Sequence, residues 1–189
     1  LTLKLYGGPK TRASMPRWFL EEKNIPYELV ELDLRANQQR QADFLAINPF
    51  GKLPVLVDPS VPMPDGESLT LFESGAILLH LAEHYTHDIS TPAQKALTSQ
   101  WLLFVNATLS IALFVRSSRE REFPQLMAVL NQQLEVDRPL VGGVWGAADC
   151  AVQAHLAYLP LFFPEMDLSP YPVIQDVIRR TYARPAYRH

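Results

Sequence analysis

Two short stretches of this chain combine residue types that suit ligand chemistry as well as they suit scaffolding. In "NPFGKLPVL" (Asn48 to Leu56), Pro54 stands where an apolar strand is beginning. Proline lacks a backbone N–H and is confined to strand starts, edges and bulges. The bond before proline has only a small trans preference, so a cis peptide is accessible. A cis peptide would turn the N–H and C=O of Leu53 off the sheet edge, where an extended peptide ligand pairs as an added strand. A proline at an ordinary strand start accounts for the same residues. In "FESGAI" (Phe72 to Ile77), Glu73 and Ser74 stand where a strand gives way to a helix. Ser74 suits an N-cap, and the free amides of a helix start favour an anion. Glu73 complements the helix dipole there. It could equally accept hydrogen bonds from a substrate ammonium, with Ser74 and nearby amides holding the adjoining carboxylate. Capping alone is the plainer explanation.

A third cluster, "HLAEHYTH", sets His80, His84 and His87 at i, i+4 and i+7 on one helix face. That spacing can bind a metal, but no further cysteine or partner cluster follows at ligand spacing. A solvated or interface face is expected, with no metal. The single cysteine, Cys150, permits no internal disulfide and no CxxC pair, and reads as a core residue.

The elements that must position these residues alternate in the first half. "TLKLY" (Thr2 to Tyr6) is a strand of period two ending at Gly7-Gly8-Pro9. "SMPRWFLEEK" (Ser14 to Lys23) is a helix with Ser14 as its cap and proline in its first turn. "PYELVELDL" (Pro26 to Leu34) is a second strand, "NQQRQADFLAI" (Asn37 to Ile47) a helix, and "PVLVD" and "SLTLF" the third and fourth strands. Between the last two, "PSVPMPDGE" is a loop turning at Asp65-Gly66. "SGAILLHLAEHY" (Ser74 to Tyr85) closes the half as a helix. The order β-α-β-α-β-β-α predicts parallel pairing of the strands joined through helices and an antiparallel hairpin for the last pair. From Thr91-Pro92 onward the pattern is helical: one helix to Val115 or Arg116, then "PQLMAVLNQQLEV", then "ADCAVQAHLAYLPLFF", which Pro160 should kink or end, then "YPVIQDVIRRTYA". Domains are therefore expected at 1–84 and 92–189, with 85–91 as linker.

The 189 residues carry 48% hydrophobic and 20% charged residues, the balance of a soluble globular chain. Residues 1–85 hold 8 Lys/Arg against 11 Asp/Glu, and residues 86–189 hold 9 of each. Neither half has the basic excess that nucleic-acid binding requires. The apolar run Trp101 to Val115 is shorter than the roughly 20 residues of a membrane span and reads as a buried helix. The N-terminus lacks the pattern of a secretory signal. The expected compartment is the cytoplasm, with no membrane and no nucleic-acid partner.

"NPFGKLPVL", "LFESGAILLHLAE" and a helical half closing in "YARPAY" together resemble the cytosolic glutathione transferases over nearly the whole chain. The resemblance implies a thioredoxin-like α/β domain followed by an all-helical domain. It implies that Leu53, beside a cis Pro54, pairs with the cysteinyl part of glutathione, and that Glu73 and Ser74 hold the γ-glutamyl end. Arg40, with Gln39, and Lys52 fall where the family contacts the glycyl carboxylate. "WGAADCAV" matches the family's capping box with Gly146 in place of serine and Asp149 retained, a structural role. It also implies a homodimer, with Phe50 as an interface knob, and glutathione as co-substrate with no other cofactor.

The departure from the family lies at the thiol. Its members ionise glutathione with a Tyr or Ser hydroxyl after the first strand, or use a cysteine in redox branches. Here the segment is "LYGGPKTRASMPRW". It has no cysteine, so thiol-exchange and dehydroascorbate-reducing chemistry are not expected. Tyr6 ends the strand, Thr11 lies nearest the usual serine, and Ser14 follows; the family's arginine beyond the serine is replaced by Met15. A thiol of pKa about 8.5 is only about 3% ionised at pH 7. Lowering it by about 2 units requires about 2.7 kcal/mol in favour of the thiolate. A helix N-terminus contributes about 0.3 to 1 kcal/mol. The cation Arg12, or hydroxyl donation from Ser14 or Thr11, has to supply the rest, in that order of preference. The segment is similar to that of the cyanobacterial chi class, which lacks the standard residue.

The resemblance implies a glutathione transferase acting in detoxification: the thiolate attacks an electrophilic carbon of a small apolar substrate. The helix around Phe104 to Phe114 would wall the apolar site, and the chi likeness points to isothiocyanates. Two other readings stay open, a catalytically weak carrier of apolar ligands and a protein-interaction module on the same fold.

Overall fold

The computed structural model describes residues 2–135 and 138–187. They form two compact units, one ending at Leu81 and one spanning Ala82–Tyr187. The division falls inside a helix, slightly ahead of the boundary at 84/85 drawn from sequence.

The first unit is built on a four-stranded sheet in the order β2-β1-β3-β4. Strand β1 (Leu3–Gly7) buries Leu3 and Leu5 and exposes Lys4, the period-two alternation of its sequence. It pairs in parallel with β2 (Tyr27–Glu31), Leu5 opposite Leu29. The crossover is α1 (Ser14–Glu22), which buries Met15, Trp18, Phe19 and Leu20. Ser14 opens this helix rather than capping it: Ala13 occupies the cap and offers no side chain to the first amides.

Strand β3 (Val55–Pro62) lies on the other side of β1 and runs antiparallel to it, Leu5 opposite Leu56. This corrects the expectation of parallel pairing throughout the early strands. The helix expected over Asn37 to Ile47 is also two pieces, a 3₁₀ turn at Gln38–Arg40 and α2 (Ala42–Ile47), separated by extended Gln41 (φ −77°, ψ 153°). With β2 parallel and β3 antiparallel to β1, β3 enters the sheet from the end where β2 leaves.

Strand β3 reaches Pro62, through residues expected to be loop, with an irregularity in its pairing between Asp58 and Pro62. The hairpin to β4 (Ser68–Phe72) turns at Gly66 (φ 85°), whose N–H donates to the Met63 carbonyl at 2.9 Å. Helix α3 (Ser74–His84) then lays Ile77, Leu78 and Leu81, all fully buried, into the core with Trp18, Phe19 and Leu56. Each such side chain contributes about 1.5–3 kcal/mol of burial.

The second unit is helical. Thr91 and Gln94 form a reciprocal capping box for α4 (Pro92–Leu103), which continues through a π turn at Phe104–Leu109 into α5 (Ser110–Phe114). The resulting helix has 23 residues and is long and apolar enough to cross a membrane by length and composition, longer than the run read from sequence. Its Leu102, Val105, Leu109, Ala112 and Leu113 are buried, and α4 packs on α7 (Ala147–Phe162). After a break at Val115, α6 (Arg116–Gln133) starts well before the expected helix and holds Pro124 inside it. Pro160 does not end α7, which runs on to Phe162; nearly every residue from Ala147 to Leu159 is buried, Cys150 among them. Helix α8 (Pro172–Tyr182) packs against α6 and α7. A thioredoxin-like sheet with its helices, followed by a helical region, is the fold class that the resemblance implied.

At the start of α7, Asp149 Oδ2 accepts from the Gly146 N–H at 3.0 Å and Oδ1 from the Leu140 N–H at 2.9 Å. Glycine has no side chain, so only the Asp149 half of the expected capping box exists. Burial raises the Asp149 carboxyl above its ordinary range, against the backbone donors and the charge of Arg184.

Candidate functional site

A cleft of about 710 Å³ opens in the first unit where three chain segments meet. Thr11 and Arg12 come from the loop after β1, Leu34, Gln39 and Arg40 together with Phe50 to Pro54 from the connection between β2 and β3, and Phe72, Glu73 and Ser74 from the end of β4 and the start of α3.

The first rim is shaped by tight packing of the loop on its strand. A Cβ on Gly7 would stand 2.7 Å from that of Ala13, so only glycine lets the loop fold back this closely. Thr11 Oγ1 donates to the Gly8 carbonyl at 2.8 Å and accepts from the Ala13 N–H at 3.3 Å. Thr11 and Arg12 line the cleft, and Ser14 is not among its lining residues.

The floor is the turn before β3. Asn48 is fully buried, and its side chain donates to the Lys52 carbonyl at 2.9 Å while accepting from the Phe50 N–H at 3.2 Å. Gly51 (φ 59°) completes the turn; a Cβ there would lie 2.8 Å from the Gln39 carbonyl oxygen and 3.0 Å from Arg40 Nη1. Arg40 Nη1 in turn donates to the Phe50 carbonyl at 3.4 Å. The Leu53–Pro54 peptide is cis, and both residues face the cleft. Phe50 is exposed and meets Phe72 edge-on at 5.3 Å.

The third rim is the start of α3. The Ile77 N–H donates to the Glu73 carbonyl, so Glu73 holds the cap position expected for Ser74 and the helix starts at Ser74, one residue earlier than sequence suggested. Glu73 sits at φ 70°, a left-handed conformation that costs a side-chain-bearing residue about 1–2 kcal/mol, and its side chain is exposed. Ser74 is 1% exposed, and its hydroxyl oxygen has no hydrogen-bond partner; neither has Gln39 Oε1. Buried polar atoms are normally paired, and these two belong to residues that line the cleft. Arg12, Arg40 and Lys52 against Glu73 give the lining a formal charge of +2.

Of the residues singled out from sequence, the structure gathers Thr11, Arg12, Gln39, Arg40, Lys52, Leu53, Pro54, Glu73 and Ser74 around one cleft and leaves out Ser14. Asn48 was missed as the turn's fastener, although an asparagine before proline is a turn signal. The histidines do not converge. His80 Nε2 lies 2.7 Å from buried Asp58 Oδ2, while His84 and His87 are exposed, and the described residues contain no cluster of three metal-ligating side chains. The aromatic wall expected at Phe104 to Phe114 lies in the second unit, where Phe114 packs against Tyr158, Phe162 and Phe163 with centroids 5.7–6.2 Å apart.

Comparison with known proteins agrees with this geometry. The family described as "Glutathione S-transferase, N-terminal domain" matches residues 1–83. The disulfide-bond oxidoreductase YfcG of Escherichia coli K12 is 32% identical, over 97% of this chain and 92% of its own. The glutathione S-transferase GstB of the same strain is 31% identical, over 89% and 87%. A solved glutathione transferase of Pseudomonas putida, with one glutathione disulfide bound per subunit, superposes with a TM-score of 0.81 at 27% identity, covering 98% of this chain and 89% of that one. The chain belongs to the glutathione S-transferase family.

Proposed function

We propose that the cleft binds glutathione, ionises its thiol and delivers the thiolate to small apolar electrophiles. The observation that carries this reading is the charge pattern of the lining. Glutathione bears two carboxylates and one ammonium, and its thiolate brings the net charge to −2, which balances the +2 formal charge of the cleft. Glu73 receives the ammonium, Ser74 and the first amides of α3 the adjoining carboxylate, Leu53 the cysteinyl backbone, and Arg40, Gln39 and Lys52 the glycyl carboxylate. Arg12, and secondarily Thr11, stabilise the thiolate. Isothiocyanates suit such a nucleophile: sulfur adds to the central carbon of N=C=S, and the nitrogen takes up a proton to give a dithiocarbamate. Phe50, exposed against Phe72, supports a homodimer with this aromatic pair at the interface.

A second reading is favoured by the relationship to a disulfide-bond oxidoreductase and by the disulfide held in the P. putida structure. Here the thiolate attacks one sulfur of a disulfide, forming a mixed disulfide and releasing a thiolate that takes a proton. A second glutathione thiolate then resolves the mixed disulfide to glutathione disulfide and a second thiol, the two glutathiones supplying both electrons. The sequence argument against thiol exchange rested on the lack of a cysteine, which this scheme does not need.

Thermal unfolding with added glutathione tests the common part. Binding predicts a stabilisation of about 2.7 kcal/mol at a hundredfold excess over Kd. No shift at millimolar glutathione would instead favour the interaction-module reading. Turnover of an isothiocyanate against turnover of a small disulfide then separates the two chemistries, and binding without either points to the ligand carrier.

A further inference from the structure

The buried pair Asp58–His80 lies outside the cleft yet joins the two elements whose ends form it. Asp58 is 1% and His80 7% exposed, and their Oδ2 and Nε2 atoms are 2.7 Å apart. Asp58 belongs to β3, which begins immediately after Leu53-Pro54, and His80 to α3, which begins at Ser74. The two arms are nearly equal. Three residues of strand separate Asp58 from Val55, about 10 Å, and six residues of helix separate His80 from Ser74, about 9 Å.

The other anchors of α3, Ile77, Leu78 and Leu81, are apolar. The hydrophobic term is non-directional, so these anchors hold α3 on the sheet by shape and specify no one polar atom-to-atom distance. A hydrogen bond between an imidazole and a carboxylate weakens steeply with distance and angle. Asp58 is itself anchored, because Oδ1 accepts from the Ser60 N–H at 2.9 Å and from its hydroxyl at 2.6 Å. A directional, buried contact therefore sits behind the site, on both of its halves at once.

We propose that Asp58 and His80 are positioning residues of the glutathione cleft, setting the separation between the Leu53 backbone and the Glu73-Ser74 turn. The proposal rests on the glutathione-binding reading above. A tripeptide held at its middle by β3 and at one end by α3 reads that separation directly, so misplacement weakens binding before it alters the thiol.

The test compares His80→Phe, which keeps a ring but loses the polar atom, with His80→Gln, whose amide reaches the position of Nε2. Glutathione affinity and KM are measured together with kcat at saturating glutathione. His80→Phe is expected to raise Kd and KM about tenfold, equivalent to about 1.4 kcal/mol, with kcat unchanged and affinity largely restored in His80→Gln. A folded His80→Phe that loses thermal stability yet binds glutathione like wild type would overturn the proposal, leaving the pair a plain structural strut. If that variant does not fold, Asp58→Asn decides by the same criterion. Wild-type protein that fails to bind glutathione would sink the functional reading and this proposal together, whereas normal wild-type binding with unaffected variants sinks this proposal alone.

Discussion

The Thr11 hydroxyl donates its proton to the Gly8 carbonyl oxygen at 2.8 Å. A hydroxyl has one proton to give, so Thr11 can donate to a thiolate only by releasing the turn it closes. Arg12, beside it in the cleft lining, carries several donors and a permanent charge. The division of work at the thiol follows from this pair of facts. Arg12→Ala is expected to raise the thiol pKa of bound glutathione by about 1 unit and Thr11→Val by about half as much, while Ser14→Ala leaves it within about 0.3. Thiolate absorbance of the three variants checks the ranking. A Ser14→Ala shift as large as that of Arg12→Ala would reverse it.

The proposed role of Glu73 carries a conformational cost. Its φ of 70° suits glycine. Glu73→Gly is expected to raise unfolding free energy by about 1 kcal/mol while weakening glutathione binding at least tenfold, since the ammonium loses its carboxylate. Chemical denaturation and a glutathione titration of one preparation measure both. Weaker binding with no gain in stability would mean that the left-handed turn is unstrained.

Gly51 is a steric requirement of the cleft floor. A Cβ there meets the backbone of Gln39 at 2.8 Å, an obstacle that cannot swing away as a side chain would. Gly51→Ala should cost about 1–2 kcal/mol of stability and lower glutathione affinity by displacing Gln39 and Arg40. Unchanged affinity in a folded Gly51→Ala protein would remove those two residues from the binding scheme.

The residues that line the candidate cleft are largely legible in the sequence. Leu53-Pro54 and Glu73-Ser74 announce themselves because proline at a strand entrance and an acidic residue at a helix entrance are local features. Strand β1 and helices α3 and α8 follow from periodicity. What sequence could not give was long-range. The antiparallel entry of β3 is a pairing of residues far apart in the chain, Leu5 opposite Leu56, and the break at Gln41 is concealed by the helix-forming residues of Asn37 to Ile47. The Asp58–His80 pair joins residues 22 apart in sequence and on different elements; its only local sign is a histidine on the apolar face of α3. Ser14 looked like a cap by type, but the turn closed by Thr11 starts the helix around it.

Asp149 gives a pH signature in the second unit. Burial raises its folded pKa above the ordinary 3.8. The folded chain therefore holds that proton more tightly than the unfolded chain. The resulting stabilisation is fully present below about pH 3.8 and is lost as pH rises through the raised value. Asp149→Ala removes this titration and strands two N–H groups, costing about 2–4 kcal/mol. The wild-type advantage over this variant should be larger at about pH 4 than at pH 7. Urea unfolding at both pH values checks it, and an advantage that grows with pH would contradict the raised pKa.

The most direct measurement is the ultraviolet thiolate absorbance of glutathione bound to the wild-type protein, titrated from about pH 5 to 9. Activation by Arg12 and Thr11 predicts a midpoint near 6.5, about 2 units below an ordinary thiol. A midpoint near 8.5 with glutathione demonstrably bound would contradict it, leaving a cleft that holds the tripeptide without activating it.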